Sequence, residues 1–552
     1  MHVVTMVLVF LLAVVVSGFV ARLLPKVPLP LLQIAIGAAL STIGFDVAFD
    51  PHLFLLLFIP PLLFLDGWRI PKGAFFRDWK PILALAIGLV VFTVVGMGWF
   101  IWWLVPAMPL AVAFALAAIL SPTDPVAVGA MTASAPPPPR LMHILEGESL
   151  LNDATGLVCF TFAVTAAMTG TFSLANASVS FLLVAGGGLL VGVAVTWAIG
   201  RLNRLLVRRT GEDPGIQILV SLLVPFAAYL AAEHFHVSGI LAAAVAGIAM
   251  HYGELSGRPL AATRMQRHAV WDTVQMALNG IIFVLLGEQL PAMVRALPAA
   301  AETSGSGNDI WHLLGYVVVI TFALGLMRFA WVWVAIRLTV FRAAWRGERA
   351  SMPQTRLLAI IATAGVRGAI TLAGILTLPL LLPDGSPFPT RTAAILIAMG
   401  VILLSLLVAS IGLPLLARGL DADTLPEPDR EDSEASARMA ASLAAMRRID
   451  KLVATPLADG AEEAARAEAA VLLRDAYQRH LHYGDLSGED VQQMERVERA
   501  ERRLRLAALD AERDELYRLR RAQTIDDIIH RKLVGELDLA EATLRQREAA
   551  GH

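Results

Sequence analysis

The chain has 552 residues, of which 57% are hydrophobic and 17% charged, with a mean hydropathy of +0.64. Ordinary soluble globular proteins do not have this composition, and a formal net charge of −2 gives no bulk electrostatic case for nucleic-acid binding. The average conceals two halves. Residues 1–420 hold 24 Lys and Arg against 18 Asp and Glu, whereas residues 421–552 hold 21 against 29 and contain no apolar run long enough to span a bilayer. The predicted organisation is a membrane domain over 1–420 and a charged, water-facing tail over 421–552. An acidic, proline-bearing linker at Asp421–Asp432 joins them.

In chain order, apolar runs of about 18–25 residues predict an all-α polytopic membrane protein with about thirteen transmembrane helices. Their centres lie near Ala13, Gly37, Pro60, Val91, Leu120, Gly156, Leu190, Val224, Ala244, Ile282, Phe322, Gly368 and Leu403. The first run, Val3–Phe19, has no basic residue ahead of it and no cleavage site, so it reads as a retained helix. Nineteen Lys and Arg fall in loops after odd-numbered spans, from Arg22 and Lys26 to Arg356, and only Arg295 and Arg391 in loops after even-numbered ones. Because positive loops stay in the cytoplasm, the N-terminus is expected outside and the tail inside. Cys159 is the single cysteine, so no intrachain disulfide forms.

At membrane depth an ionisable side chain costs at least about 2.5–3.5 kcal/mol on insertion scales, so each needs a partner or a role. In the fifth span Ala111–Leu120 runs into Ser121-Pro122-Thr123-Asp124-Pro125, where two prolines remove helix donors around a Thr–Asp pair. A broken helix is predicted. A proline kink without a ligand is the plain alternative, but Asp124 beside it argues for unwound backbone lining a polar cavity. The sixth span carries Glu148, Ser149, Asn152 and Asp153 within six residues. Ser149 and Asp153 share one helix stripe, and Glu148 and Asn152 the adjacent one. The first stripe can give a hydroxyl and a carboxylate to a small hard cation, and the second can face the protein and hold the geometry. Simple capping of a helix N-terminus accounts for Glu146, but Asp153 lies two turns in.

In the twelfth span Arg367 stands between Gly365 and Gly368 in an apolar helix and is expected to pair with a carboxylate. Glu148 is the preferred partner, with Asp124 and Asp153 as alternatives. Arg328 in the eleventh span is a second candidate cation, but being nearer the cytoplasmic end it reads first as snorkelling. Glu233, His234 and His236 read as interfacial, and Glu288 as a solvated helix end. The fifth and twelfth spans are an odd number of helices apart and cross in opposite directions, which fits inverted repeats with a site at the paired breaks. No His-x-x-x-His or His/Cys cluster lies within a span, and Ser149 has no activating base on its stripe, so metalloenzyme and nucleophile readings fare poorly.

Four stretches then carry a resemblance: Phe58-Ile59-Pro60-Pro61-Leu62-Leu63-Phe64 running on to Gly67-Trp68, the Thr123-Asp124-Pro125 break, Glu148-Ser149-Leu150-Leu151-Asn152-Asp153, and Gly365-Val366-Arg367-Gly368-Ala369. They resemble bacterial members of the monovalent cation:proton antiporter family, relatives of the animal sodium/proton exchangers, over roughly residues 5–418. The resemblance implies that Asp153 binds cation and proton by turns. Ser149, Thr123 and Asp124 would be further Na⁺ ligands, the last directly or through water, and Glu148 and Arg367 the supporting ion pair. Asn152 stands where electrogenic relatives have a second aspartate, which implies electroneutral one-for-one exchange. It also implies a secondary transporter and not an enzyme, with no cofactor, working as a homodimer in the bacterial inner membrane. Its partners would be monovalent cations, protons and lipid.

One carboxylate that must be occupied to cross, and cannot hold both ligands at once, couples the two fluxes. Helical patterning at Ala461–Tyr477 and Val491–Leu519 gives the tail a regulatory or dimer-associating reading, with a solvated appendage as the equal alternative. A K⁺/H⁺ antiporter, or a cation channel or ion and pH sensor on the same fold, is the competing expectation.

Overall fold

In hydrocarbon every backbone N–H and C=O must be satisfied within its own segment, and this chain meets the demand with helices. The computed structural model describes residues 2–25, 27–43, 51–70, 78–132, 139–170, 174–256, 261–303, 310–345 and 355–418, and in the tail 430–455, 463, 466–474, 488–521, 533–541 and 544. The basic loop residues Lys26, Lys72, Arg77, Arg258, Arg346 and Arg349 and linker residues 421–429 lie outside them.

The helices are α1 (His2–Leu23), α2 (Leu29–Thr42), α3 (Pro51–Arg69), α4 (Trp79–Leu104), α5 (Leu110–Leu120), α6 (Pro125–Met131), α7 (Pro139–Thr169), α8 (Leu174–Thr210), α9 (Pro214–His234), α10 (Gly239–Ser256), α11 (Ala261–Thr303), α12 (Ile310–Trp345), α13 (Thr355–Thr363), α14 (Ala369–Leu376) and α15 (Arg391–Ala417). Among the described residues eight of them, α1, α4, α7, α8, α9, α11, α12 and α15, are long and apolar enough to cross a membrane. Helices α2, α5 and α10 are shorter apolar helices. Within α4 the turns at Ala84–Leu89 widen to a π-helix.

The chain divides into two compact units, Met1–Pro426 and Glu427–His552. The second contains α16 (Arg430–Val453) and α17 (Gly488–Arg521). Helix α17 spans the predicted Val491–Leu519. Of the predicted Ala461–Tyr477, residues 463 and 466–474 are helical and the others lie outside the described residues. Helix α16 falls where no helix was expected; its alanine, methionine and leucine content gives it the propensity, and its first residues, Arg430 to Asp432, are the end of the expected linker. Arg513 on α17 reaches Asp510 at 3.0 Å and Asp538 at 2.9 Å, and also pairs with Glu541.

In the first unit the helices form two groups that pack more densely within themselves than across: α1–α3 with α8–α11, and α4–α7 with α12–α15. Glycines lock the first group. A Cβ on Gly37 would overlap the carbonyl oxygen of Val284, and one on Gly287 that of Ile34, so α2 and α11 touch backbone to backbone at two levels. Helices α3 and α10 repeat the arrangement, with Gly67 against the Ala244 carbonyl and Gly247 against that of Phe64. At such contacts even a methyl group must displace main chain. Gly37→Ala and Gly247→Ala are therefore expected to lower stability by about 1–3 kcal/mol. Gly18→Ala, with nothing within 4 Å of its added Cβ, should be neutral or slightly stabilising. Thermal unfolding in detergent measures the difference.

Candidate ion-binding site

Two helices in the second group are broken, and the breaks meet. Helix α5 stops at Leu120 and α6 begins at Pro125; α13 stops at Thr363 and α14 begins at Ala369. Pro122 and Pro125 deny the first segment its helical donors, and Gly365 and Gly368 loosen the second. The two unwound segments are joined by the Asp124 N–H donating to the Val366 carbonyl at 2.8 Å. Asp124 also accepts from the Ala127 N–H at 3.3 Å, capping the first turn of α6. Its carboxylate packs directly on Gly368, the N-cap residue of α14, where a Cβ would overlap Oδ2. Only glycine leaves that space open.

The carbonyls freed at the other ends of the breaks are met by arginines. Arg367 Nε donates to the Leu120 carbonyl at 2.9 Å, its Nη1 to the Gly365 carbonyl, and its backbone N–H to Ser405 Oγ at 3.2 Å. Arg328 Nε donates to the Ile361 carbonyl at 2.8 Å. Arg328 also forms a two-pronged ion pair with Glu148, at 2.5 and 2.7 Å, with both side chains almost wholly buried. This corrects two expectations. The partner of Glu148 is Arg328 and not Arg367, and Arg328 does not snorkel, because it is 3% exposed. The physical reason is that a broken helix presents unpaired carbonyls and the negative end of its dipole, which can hold a guanidinium without a carboxylate. Glu288 departs from expectation as well: it is 3% exposed, not solvated, and accepts from Gln289 Nε2 at 2.7 Å. Glu233, His234 and His236 are exposed at the end of α9.

Helix α7 brings its two stripes to this crossing. Asn152 Nδ2 donates to Thr123 Oγ1 at 3.1 Å, and Thr123 Oγ1 lies 3.4 Å from the Glu148 carboxylate, so the second stripe holds the first break. Ser149 and Asp153, on the first stripe, are 4% and 6% exposed and line a cavity of about 50 Å³. One water needs roughly 10–15 Å³ by the same kind of measure, so the space takes a small ion and a few waters. Thr123 and Asp124 line it from the first break, Gly368 and Thr371 from the second. Its opposite wall comes from the glycine-locked group: Asp66 on α3, and Gln275 and Asn279 on α11.

Asp66, Gln275 and Asn279 were not singled out in the sequence. Asp66 lies within the Pro-Pro helix motif and one turn before Arg69, and its carboxylate within a span is the signal that could have found it. Arg69 itself turns to α11, donating to Gln275 Oε1 at 2.6 Å and pairing with Asp272. Among the described residues no three His, Cys, Asp or Glu side chains converge closely enough to hold a metal ion by themselves. The donors are therefore spread around the cavity as carboxylates, hydroxyls and amides, the oxygen-rich surroundings that suit a hard cation.

An all-helical membrane protein with such a cavity at the crossing of two interrupted helices has the architecture of a secondary transporter. Residues 7–419 match the family described as "Sodium/hydrogen exchanger, transmembrane", and the chain belongs to that family. It is 42% identical to an uncharacterised Na⁺/H⁺ exchanger of Escherichia coli strain K12, YjcE, over 98% of both chains. It is 43% identical to a sodium, potassium, lithium and rubidium/H⁺ antiporter of Bacillus subtilis strain 168, over 75% of this chain and 62% of that one. The sodium proton antiporter MjNhaP1 from Methanocaldococcus jannaschii shares the fold, with a TM-score of 0.54 at 19% identity over 76% of this chain and 99% of that one.

The corrected ion pair makes a specific prediction. Glu148→Gln or Arg328→Gln alone strands a buried charge and is expected to cost about 3–5 kcal/mol, while the double replacement costs much less than the sum. A cycle combining Glu148→Gln with Arg367→Gln should show a clearly smaller coupling. Unfolding of the purified variants in detergent measures both cycles.

Proposed function

We propose that the protein exchanges a monovalent cation, first of all Na⁺, for H⁺, one for one and electroneutrally, by competition for Asp153. The observation that carries this reading is that Asp153, Ser149, Thr123 and Asp124 all line one cavity at the crossing of the two breaks. The two arginines buried at the crossing, Arg328 and Arg367, are engaged with Glu148 and with helix carbonyls, so the carboxylate of Asp153 is left to the cavity. A proton on that carboxylate removes the charge that holds the cation, and a bound cation opposes protonation. If the empty, charged site does not cross, each turnover carries one ligand in each direction. Asn152, without a charge of its own, supports the electroneutral stoichiometry.

The transport cycle is alternating access, with the crossing carried by α4–α7 and α12–α15 past the glycine-locked group. The membrane unit is read as thirteen crossings in inverted repeats, a reading supported by each of the thirteen sequence centres falling on a helix or, for Gly368, on a break. The clustering of Lys and Arg orients the N-terminus outside and the tail in the cytoplasm of a bacterial inner membrane, in a homodimer that serves pH homeostasis. Asp66 adds a carboxylate on the wall that holds still, where it attracts and hands over the cation. A K⁺/H⁺ exchange is the second reading, favoured by the range of ions in the name of the Bacillus subtilis relative.

Sealed proteoliposomes with an imposed pH gradient test the proposal. Addition of Na⁺ should collapse the gradient, with no dependence on membrane potential. The half-saturating Na⁺ concentration should rise about tenfold per pH unit on the acid side of the site's titration, with the maximal rate unchanged, as single-site competition requires. Asp153→Asn should abolish exchange in a folded protein, whereas Asp66→Asn should raise half-saturation and leave exchange measurable. Sodium-dependent proton movement in the Asp153→Asn variant refutes the assignment, and ion leak without proton coupling indicates a channel.

A further inference from the structure

A second cavity in the membrane unit lies apart from the ion site. Helices α8 and α10 are in backbone contact at Gly188 and Gly192, whose Cβ positions are taken by the Ser238 and Ala242 carbonyls. Beyond that contact they part, and a crevice of about 810 Å³ opens between α8, α9 and α10 at the end of the fold where Arg201, Arg204, Arg208 and Arg209 cluster. Its size lies within the range of sites that enclose a small organic ligand. We propose that this crevice binds an anionic phospholipid of the leaflet on the arginine side, one acyl chain lying between the helices and the phosphate at Arg204 and Arg208.

The lining is graded as such a ligand requires. Val220, Val224, Val245 and Ile248 make the deep part apolar, and Val193 continues the apolar lining outward. Trp197 and Tyr252, 65% and 47% exposed, stand at its mouth, the kind of aromatic that settles at a membrane interface. Arg204 and Arg208, one turn apart on α8, line the outer part, and Arg267 of α11 adds a third guanidinium. Glu212 is the one acid among the lining residues; it accepts from Thr263 Oγ1 at 2.7 Å and attracts Arg267, so the positive charge left at the rim is that of Arg204 and Arg208. Asn203 and Gln217 close on each other through two amide hydrogen bonds of 2.7 and 3.0 Å, so they make no claim on a ligand. Thr196, 8% exposed, lines the same crevice with its hydroxyl unpartnered, a buried donor that a lipid ester carbonyl can satisfy. Basic pockets between membrane helices on the positively charged side are where acidic lipid headgroups are held.

The placement has a mechanical consequence. Helix α10, which walls the crevice, is the helix that packs main chain against main chain on α3, and α3 carries Asp66 to the ion cavity. A chain seated behind α10 fills a large void in a group of helices that elsewhere packs through glycines.

Native mass spectrometry of the detergent-solubilised protein with added phosphatidylglycerol, and separately with phosphatidylcholine, tests the site. One phosphatidylglycerol per chain should be retained, and Arg204→Gln/Arg208→Gln should weaken its binding about tenfold or more. Arg201→Gln/Arg209→Gln removes the same charge from the same helix end at positions that do not line the crevice, and should keep the lipid. Ala249→Trp, which fills the crevice without changing charge, should lose it. Thermal unfolding should show phosphatidylglycerol stabilising the wild type and the Arg201→Gln/Arg209→Gln variant but not the other two. Equal loss in the two arginine doubles, equal retention of phosphatidylcholine, or displacement of the lipid by millimolar inorganic phosphate overturns the proposal. So does an Ala249→Trp protein that keeps its lipid but changes its oligomeric mass, because a second copy would then be the occupant.

Discussion

A helix broken at membrane depth exposes amides and carbonyls where no bulk water can satisfy them, and two such breaks meet in this protein. The groups around the crossing answer that one demand. The Asp124 N–H takes the Val366 carbonyl, the Asp124 carboxylate takes the Ala127 N–H, and Arg367 and Arg328 take the carbonyls of Leu120, Gly365 and Ile361. Two buried guanidiniums then need balancing charge, and Glu148 supplies it to Arg328. The polar network is thus first a repair of the backbone. Its useful by-product is a frame in which the oxygens of Thr123, Ser149 and Asp153 face a common space.

Opposite that frame stands a wall built on another principle. Helix pairs α2 with α11 and α3 with α10 approach until glycine and carbonyl touch, which leaves little room for adjustment. The site lies between the two kinds of packing: its charged network belongs to the group with the breaks, and Asp66, Gln275 and Asn279 to the group with the glycines. A cavity shared in this way changes its surroundings whenever one group shifts against the other, and that is the requirement for an ion to be taken up from one side and given up to the other.

Much of this was legible along the chain. Proline pairs around Thr123-Asp124 and glycines around Arg367 marked the breaks, because their effect on helix hydrogen bonding is local. The four-residue spacing of Ser149 and Asp153 put both on one stripe for the same reason. What failed was pairing. Arg367 was matched to Glu148 on the rule that buried charges seek opposite charges, and the rule overlooked the carbonyls that a broken helix supplies. The distance of Arg328 from a span end favours the interface over its other reading as a candidate cation, a measure blind to the helix α13 whose Ile361 carbonyl it meets. Asp66 is absent from the sequence reading altogether, since nothing in its own segment reveals the aspartates that share its cavity.

The sequence by itself determined the membrane domain, its helical character, the two interruptions and the stripe carrying Ser149 and Asp153, because composition, periodicity and proline or glycine chemistry act over a few residues. Only the tertiary structure decided which arginine neutralises Glu148, that α3 and α11 complete the cavity, and that α8 and α10 part to leave a crevice. Those outcomes depend on contacts between segments far apart in the chain, where desolvation, helix-end carbonyls and close backbone approach select one partner among several of equal chemical merit.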